Sequence, residues 1–262
     1  MENKLQRYIK GTFTINKEGS VDVNGDVDFQ RLDLTKIPFN FNKVTGNFNC
    51  SDNKLKTLEG SPKEVGGNFN CSWNQIETLE GGPKEVGKDF KCWNNHLKSL
   101  KGGPKEIGGN FNCWNNQLET LEGGPERVGG NFNCWNNLLK SLEGGPKEVD
   151  GNFNCWNNQL ETLEGAPKKI NGDFDCYKNY LKTLEGGPKK IIGDFTCSNN
   201  QLKTLKGSPK EIDGNFLCGQ NQLETLEGGP ERVGGNFECW ENKIRFTKDD
   251  VRKISLVRGG IS

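Results

Sequence analysis

The sequence predicts a β-rich solenoid, a stack of short parallel strands with an N-terminal β-hairpin cap and a short C-terminal helical cap. Two observations lead to this prediction. All ten cysteines fall at intervals of 21 residues, from Cys50 to Cys239, and other residue types keep the same interval. Hydrophobic residues make up only 31% of the 262 residues. That is too few for one large core, but it is sufficient when each repeat shares a thin core with its neighbours.

One repeat unit follows the pattern F-x-C-x-x-N-x-L-x-x-L-x-G-x-P-x-x-V, and the first such unit begins at Phe48. Phe48 and Cys50 alternate with polar residues, which predicts a short strand with both side chains pointing inward. We expect Asn53 and its equivalents to bond the backbone of the turn that follows and to stack into an asparagine ladder. Gly60 and Pro62 are expected in a turn with special backbone angles.

The first half of the unit matches the leucine-rich-repeat motif L-x-L-x-x-N-x-L, with phenylalanine and cysteine in the first two apolar places. The sequence is therefore identified as a leucine-rich-repeat-like solenoid. Leu55, Leu58 and Val65 are predicted to close the far wall of their turn. Each unit would bury about five apolar side chains, each contributing roughly 1.5–3 kcal/mol, and this burial requires that neighbouring units stack.

The pattern divides the chain into an N-terminal cap over residues 1–26, a solenoid of 21-residue units over 27–244 and a C-terminal cap over 245–262. Apolar residues on both sides of a polar segment at 16–19 predict the N-terminal hairpin. At the other end, Thr247 followed by acidic residues predicts the start of a short helix. Val251 and Ile254 are expected to cover the last core layer.

Two groups of repeat proteins resemble the stretch from about Val27 to Ile244. The order N-x-L-x-x-L, then proline, then an aliphatic residue three later, is similar to the short repeats of secreted bacterial effectors. The present unit is one residue longer and has Glu59 where those repeats have proline. The unit G-N-F-N-C-S-x-N-x-L-x-x-L-E-G-x-P-K-E-V-G more closely resembles the 21-residue repeat proteins of tailed bacteriophages and giant viruses. Residues 19–49 also resemble the lead-in of that group. The resemblance implies a viral or phage protein.

Composition narrows the classes of partner and compartment. Lysine plus arginine equals aspartate plus glutamate, 35 against 35, so no general electrostatic attraction draws the chain to nucleic acid or to anionic membranes. No apolar stretch is long enough to span a bilayer, and residues 1–14 lack the apolar core of a signal peptide. We therefore expect a cytoplasmic protein, in the host cytoplasm if it is viral, with neither nucleic acid nor membrane as partner.

The repeat pattern contains no residues suited to catalysis or to metal binding. Evenly spaced cysteines on successive strands predict free thiols packed in the core rather than disulfides, and no paired C-x-x-C spacing indicates a metal site. His96, the single histidine, stands in a variable surface column, and no nucleophile elbow accompanies it, so the pattern offers no catalytic triad. The expectation is no enzyme, no catalytic residue, no cofactor and no metal.

The outward face of the strands carries the candidate site. Residues three before, one before and one after each cysteine must point away from the core. The position after cysteine carries a row of aromatic residues, Trp93, Trp114, Trp135, Trp156 and Tyr177. The position before cysteine carries Asn112, Asn133, Asn154 and Asp175, and the position three before carries Asn110, Asn131, Asn152 and Asp173. An exposed aromatic row with a polar rim is typical of a binding interface.

The leading hypothesis is a non-catalytic scaffold that binds a host protein through this face, with a bacterial defence protein as the expected target. A carbohydrate ligand stacked on the tryptophans is one alternative, and a structural component of a virion is another. The aromatic residues could also serve only to pack neighbouring repeats together. The oligomeric state stays open, because the predicted caps oppose end-to-end stacking but leave two faces for dimerisation.

Overall fold

The computed structural model describes residues 2–262. The chain forms two compact units, one ending at Gly130 and one beginning at Asn131. Both units are parallel-strand β-solenoids of 21-residue turns, the first beginning with a hairpin and the second ending with a small helix. The predicted fold class is confirmed.

The N-terminal segment consists of a short α-helix over Glu2–Leu5, a 3-10 turn over Gln6–Tyr8 and a hairpin. The hairpin strands are Ile9–Ile15 and Val21–Asp28, paired antiparallel. The second strand runs parallel to the solenoid strands that follow it, so the hairpin and the first turn share one sheet. Leu5 is fully buried, and the helix and hairpin therefore cover the first core layer.

Each turn contributes one short strand that begins with the periodic phenylalanine, and these strands pair in parallel within each unit. In the first unit they are Phe48–Asn49, Phe69–Asn70, Phe90–Lys91 and Phe111–Asn112. In the second unit they are Phe132–Asn133, Phe153–Asn154, Phe174–Asp175, Phe195–Thr196, Phe216–Leu217 and Phe237–Glu238.

The valine position forms a second parallel ladder, which the sequence had placed only as a closing wall. The first unit contains Phe41–Val44, Glu64–Val65, Glu85–Val86, Glu106–Ile107 and Arg127–Val128. The second contains Glu148–Val149, Lys169–Ile170, Lys190–Ile191, Glu211–Ile212, Arg232–Val233 and Leu256–Val257. These β-branched residues suit extended backbone, and their preceding polar neighbour points outward.

Phenylalanine rings and thiols fill the core between the ladders. Phe90 and Phe111 stack with centroids 5.2 Å apart, and the cysteines of both units are buried free thiols. The Cys155 Sγ donates to the Asp175 carbonyl of the next turn at 3.3 Å. Burial raises the pKa of Cys50 to about 12, so the thiol stays protonated and unreactive at neutral pH. The predicted core packing of the cysteines is confirmed.

The inward asparagine three residues after each cysteine forms the predicted ladder. Asn200 Nδ2 donates to the carbonyls of Cys176 and Cys197 at 3.0 and 3.1 Å, and Asn200 Oδ1 accepts from Leu181 N–H at 3.0 Å. One buried amide therefore joins its own turn to the preceding one. It also supplies hydrogen bonds to backbone groups that no strand partner reaches.

The C-terminal segment closes the second unit. A helix over Lys248–Arg252 begins at Thr247 with a capping box, as the sequence predicted. Val251 is fully buried, also as predicted, and the strand Leu256–Val257 adds to the valine ladder beside Arg232–Val233. The core of the last turn is thereby covered by apolar side chains of this segment.

Replacing Asn200 by alanine should lower the free energy of unfolding strongly. The change leaves the buried Leu181 N–H without a partner and removes one of the two amide donors from each of the Cys176 and Cys197 carbonyls, and we expect a loss of roughly 3 kcal/mol. Urea unfolding followed by tryptophan fluorescence measures it. Gln201→Ala, at the adjacent half-buried position whose side chain makes no hydrogen bond, is the control and should change stability by less than about 0.5 kcal/mol. Equal losses of stability in both variants would contradict the stabilising role of the asparagine ladder.

Two adjacent turn positions should respond to alanine in opposite directions. Gly207 has φ +89°, and a Cβ there would overlap the backbone nitrogen of Glu185, so Gly207→Ala should cost about 2 kcal/mol or more. The Ser208 hydroxyl is buried with no hydrogen-bond partner, so Ser208→Ala should be neutral or slightly stabilising. Thermal melting of the two variants measures both effects. Strong destabilisation of the Ser208→Ala protein would contradict the finding that the Ser208 hydroxyl has no hydrogen-bond partner.

Candidate functional site

Tryptophans in the position after cysteine pair by face-to-face stacking within each unit. Trp93 and Trp114 have ring centroids 4.3 Å apart and planes inclined by 10°. In the second unit, Trp135 and Trp156 are 4.6 Å apart at 9°. All four side chains are half-buried, because stacking covers part of each ring. The predicted row therefore presents ring edges to solvent.

Tyr177, the last residue predicted for this row, leans along the solenoid instead of stacking. Its hydroxyl accepts a hydrogen bond from Asn199 Nδ2 of the next turn at 3.5 Å. Ser198 lies between them and is only 6% exposed, although it occupies an outward-pointing position. The phenol thus extends toward the neighbouring turn, where the small Ser198 leaves room for it.

Polar residues in the position before cysteine are engaged with each other and with the local backbone. Asn154 Nδ2 donates to Asn133 Oδ1 at 2.8 Å, and Asp175 Oδ1 accepts from the Tyr177 backbone N–H at 2.9 Å. Asn112 is half-buried beside the Trp93–Trp114 pair. Burial raises the pKa of the Asp175 carboxyl, the Tyr177 N–H opposes that rise, and the negative charge of Asp173 adds to it.

The position three before cysteine has a structural role that the sequence analysis did not predict. The Asp173 N–H donates to Asn152 Oδ1 at 2.9 Å, and the Asp194 N–H donates to Asp173 Oδ1 at 2.8 Å. Each of these side chains accepts a backbone hydrogen from the following turn. This column therefore forms a second ladder of amides and carboxylates, on the outside of the solenoid. Its side chains stabilise neighbouring turns, so binding a ligand is not their only possible role.

Sequence reasoning left two exposed tryptophans out of the predicted site, although Trp240 stands in the outward position after its cysteine. Trp73 stands one position further along, in a column whose residues all have positive φ and of which asparagine is the commonest; its φ is 54° and it is 56% exposed. The Trp73 ring meets Trp93 edge-on at 5.7 Å. A residue with a Cβ in this region costs about 1–2 kcal/mol, so a tryptophan in an asparagine column was the available signal. Trp240, in the last turn, is 43% exposed.

Among residues 2–262, no group of three or more histidine, cysteine, aspartate or glutamate side chains is placed to hold a metal ion. His96 is exposed on the surface. No helix in the described part of the chain has the length and apolar character needed to cross a membrane.

The solenoid and its outward face define a leucine-rich-repeat-type scaffold, a class of repeat protein that generally binds other macromolecules on an extended surface and is not enzymatic. No family model matches the sequence, and no curated protein matches it.

Two solved structures share the general architecture. One is YopM from Yersinia enterocolitica WA-314, with a TM-score of 0.48 and 17% identity over 84% of this chain and 61% of that chain. The other is YopM of Yersinia pestis, described as a leucine-rich effector protein, with a TM-score of 0.35 and 17% identity over 90% of this chain and 88% of that chain. The present chain thus spans 61% of the length of the first of these structures.

Replacing Asp175 by asparagine should stabilise the protein at neutral pH. Because burial raises the pKa of Asp175 above its ordinary value of 3.8, the folded state binds this proton more tightly than the unfolded chain does. Stability therefore falls as pH rises from 3.8 through the raised pKa, and asparagine removes that loss. An amide can still accept from the Tyr177 N–H, as Asn70 Oδ1 accepts from the Ser72 N–H at 3.1 Å.

Melting temperatures of wild type and Asp175→Asn as a function of pH measure this effect. The stability difference should be largest near pH 7 and should disappear below about pH 3.5. Glu227→Gln, an exposed carboxylate on a turn, serves as the control and should show little difference at either pH. A gain at low pH as large as at pH 7 would contradict the burial argument.

Proposed function

We propose that this chain is a non-catalytic scaffold that binds a partner protein through its outward strand face. The observation that carries the proposal is the stacked indole pair in each unit, Trp93 with Trp114 and Trp135 with Trp156. Large aromatic side chains held rigidly on a surface with a polar rim are typical of the residues that dominate protein interfaces.

Stacking prepares these side chains for binding. A side chain that is ordered before association avoids a loss of roughly 0.5–1.5 kcal/mol per rotamer-rich group when the complex forms. In the first unit, Trp73 adds an exposed ring next to Trp93 and is held in a strained left-handed conformation.

Ring orientation favours protein over carbohydrate at the stacked pairs. A sugar ring stacks on an open indole face, whereas each of these four indoles has a face covered by its neighbour. The amides that would bond sugar hydroxyls are engaged: Asn154 bonds Asn133 and Asn157 bonds Asn136. Ring edges and polar side chains of this kind suit the mixed surface of a protein partner.

The finer part of the proposal is that the chain is a phage or viral protein and that its partner is a host protein, with a bacterial defence protein as the expected target. The support is the similarity of the unit G-N-F-N-C-S-x-N-x-L to the repeats of phage and giant-virus proteins. A host cytoplasm would also suit the buried free cysteines, since reducing compartments keep thiols unpaired.

Substituting the stacked pairs by serine tests the proposal. Serine occupies the same position at residue 72, where its hydroxyl bonds Asn70 at 2.6 Å, so serine is compatible with the repeat. Trp93→Ser/Trp114→Ser and Trp135→Ser/Trp156→Ser are used as baits in bacterial host lysate, beside wild type. We expect one stoichiometric partner with wild type and a loss of at least about tenfold in its recovery with one or both variants, since interface aromatics each contribute about 2 kcal/mol or more.

The matched control is Leu138→Gln/Tyr180→Gln. These residues are 40% and 52% exposed, and they stand in a column that has glutamine in other turns, as at Gln159. The control removes exposed apolar surface away from the stacked pairs and should keep the partner. Equal recovery by all baits would contradict the proposed face. Enrichment of a polysaccharide on a glycan array, or co-purification with virions, would favour the two alternative functions.

A further inference from the structure

A second aromatic surface lies at the C-terminal end of the phenylalanine ladder, within the second unit. The position that carries Trp156 and Tyr177 continues with Ser198 and Gly219 and ends with Trp240. Two small residues thus separate two aromatic ones. We call the surface formed by Tyr177, Ser198, Gly219 and Trp240 the aromatic platform.

The Trp240 indole lies flat on Gly219. A Cβ on Gly219 would be 3.0 Å from Cε2 and 3.1 Å from Cδ2 of Trp240. These two atoms form the bond shared by the two rings, and an in-plane approach would meet the outer atoms of the indole first. Gly219 therefore faces the middle of one indole face. Trp240 makes no ring contact within residues 2–262 and is 43% exposed, so its other face is open to solvent.

At the N-terminal end of the platform, the Tyr177 side chain leans toward Ser198 and Gly219. Its hydroxyl reaches Asn199 of the next turn, beside the buried Ser198. The small residues Ser198 and Gly219 leave room for both rings to lie along the sheet. Trp135 and Trp156, by contrast, stack face to face. The platform consequently presents ring faces, where the stacked pairs present edges.

Carboxylates border the platform. Glu238 and Trp240 point to the same side of their strand, because the backbone between them stays paired: Cys218 N–H donates to Glu238 O at 2.8 Å and Gln220 N–H donates to Trp240 O at 2.9 Å. Glu241 accepts from Gln220 Nε2 at 3.1 Å. Neither carboxylate forms an ion pair within the described chain.

The charge of this border is negative overall. Asp175 lies two residues before Tyr177 and is also without an ion pair, while Lys178 is the cation that follows Tyr177. Lys243, three residues after Trp240, is neutralised by Glu224 at 2.7 Å. Two carboxylates, Glu238 and Glu241, thus stand beside Trp240, while Asp175 and Lys178 flank Tyr177 at the other end of the platform, three turns away.

We propose that the aromatic platform binds a cationic side chain, arginine or lysine, of the partner protein. A cation is attracted to the face of an indole, and the carboxylates beside the ring add to that attraction. This inference rests on the proposed protein-binding function and adds the chemical class of the group that the partner contributes. A sugar could stack on the same face but would gain nothing from the charge of Glu238 or Glu241.

Fluorine NMR of the protein labelled with 5-fluorotryptophan tests the platform without the partner. The Trp240 resonance is assigned as the one missing in Trp240→Leu. The probes are N-acetyl-arginine amide and N-acetyl-lysine amide, with N-acetyl-norleucine amide and methyl glucoside as uncharged controls. We expect a saturable shift of the Trp240 resonance with the two cations, and little shift with the uncharged probes at equal concentration.

The carboxylates are tested by Glu238→Gln/Glu241→Gln. This variant should raise the half-saturation concentration of the arginine probe about three- to tenfold, whereas the matched control Glu227→Gln should leave it unchanged. Unaltered resonances of the other tryptophans show that each variant keeps its fold. Shifts of equal size with norleucine amide, a response to the glucoside alone, or no effect of the glutamine variant would overturn the proposal. The serine variants of the stacked pairs test protein binding separately, so either proposal can fail alone.

Discussion

The inward asparagine amide is the interaction on which the rest of the solenoid depends. From Phe48 onward each strand is only two residues long, so most of a turn is irregular backbone that lies against the core. Buried N–H and carbonyl groups need partners, and Asn200 supplies four hydrogen bonds, to Cys176, Cys197, Ser198 and Leu181. Because neither a shorter nor a longer side chain could reach both turns, this position is held constant while the outward positions vary.

Periodic inward residues could be predicted from the sequence because their role repeats in every turn. Phenylalanine, cysteine, asparagine and leucine each recur at one place, and a buried column tolerates little variation. The outer asparagine and aspartate column could not be interpreted in the same way. Asn152 and Asn154 look alike in sequence, yet Asn152 accepts from the backbone of the next turn while Asn154 bonds a neighbouring side chain. The direction of an amide on an exposed strand depends on coordinates that no pattern contains.

The candidate site was predictable only as far as the row of aromatic residues. How each ring lies depends on the size of the residue in an adjacent turn, which is a property of pairs of turns. Trp135 meets another indole and stacks upright, Tyr177 meets Ser198 and extends toward its turn, and Trp240 lies over Gly219. Trp73 escaped prediction for a different reason. It stands in a column where a left-handed backbone normally calls for asparagine, so the periodic pattern assigns it to a turn rather than to a surface.

One scaffold therefore provides two kinds of aromatic contact by the same rule. Where the neighbouring turn also has a large ring, stacking exposes edges, which carry partial positive charge and suit polar and carbonyl groups. Where the neighbouring residue is small, the ring lies down and exposes a face, which attracts cations. Since the amide ladder holds the interior constant, a single substitution at an outward position can change an edge into a face without altering the core. Binding specificity in such a repeat can then change one turn at a time, at little cost in stability.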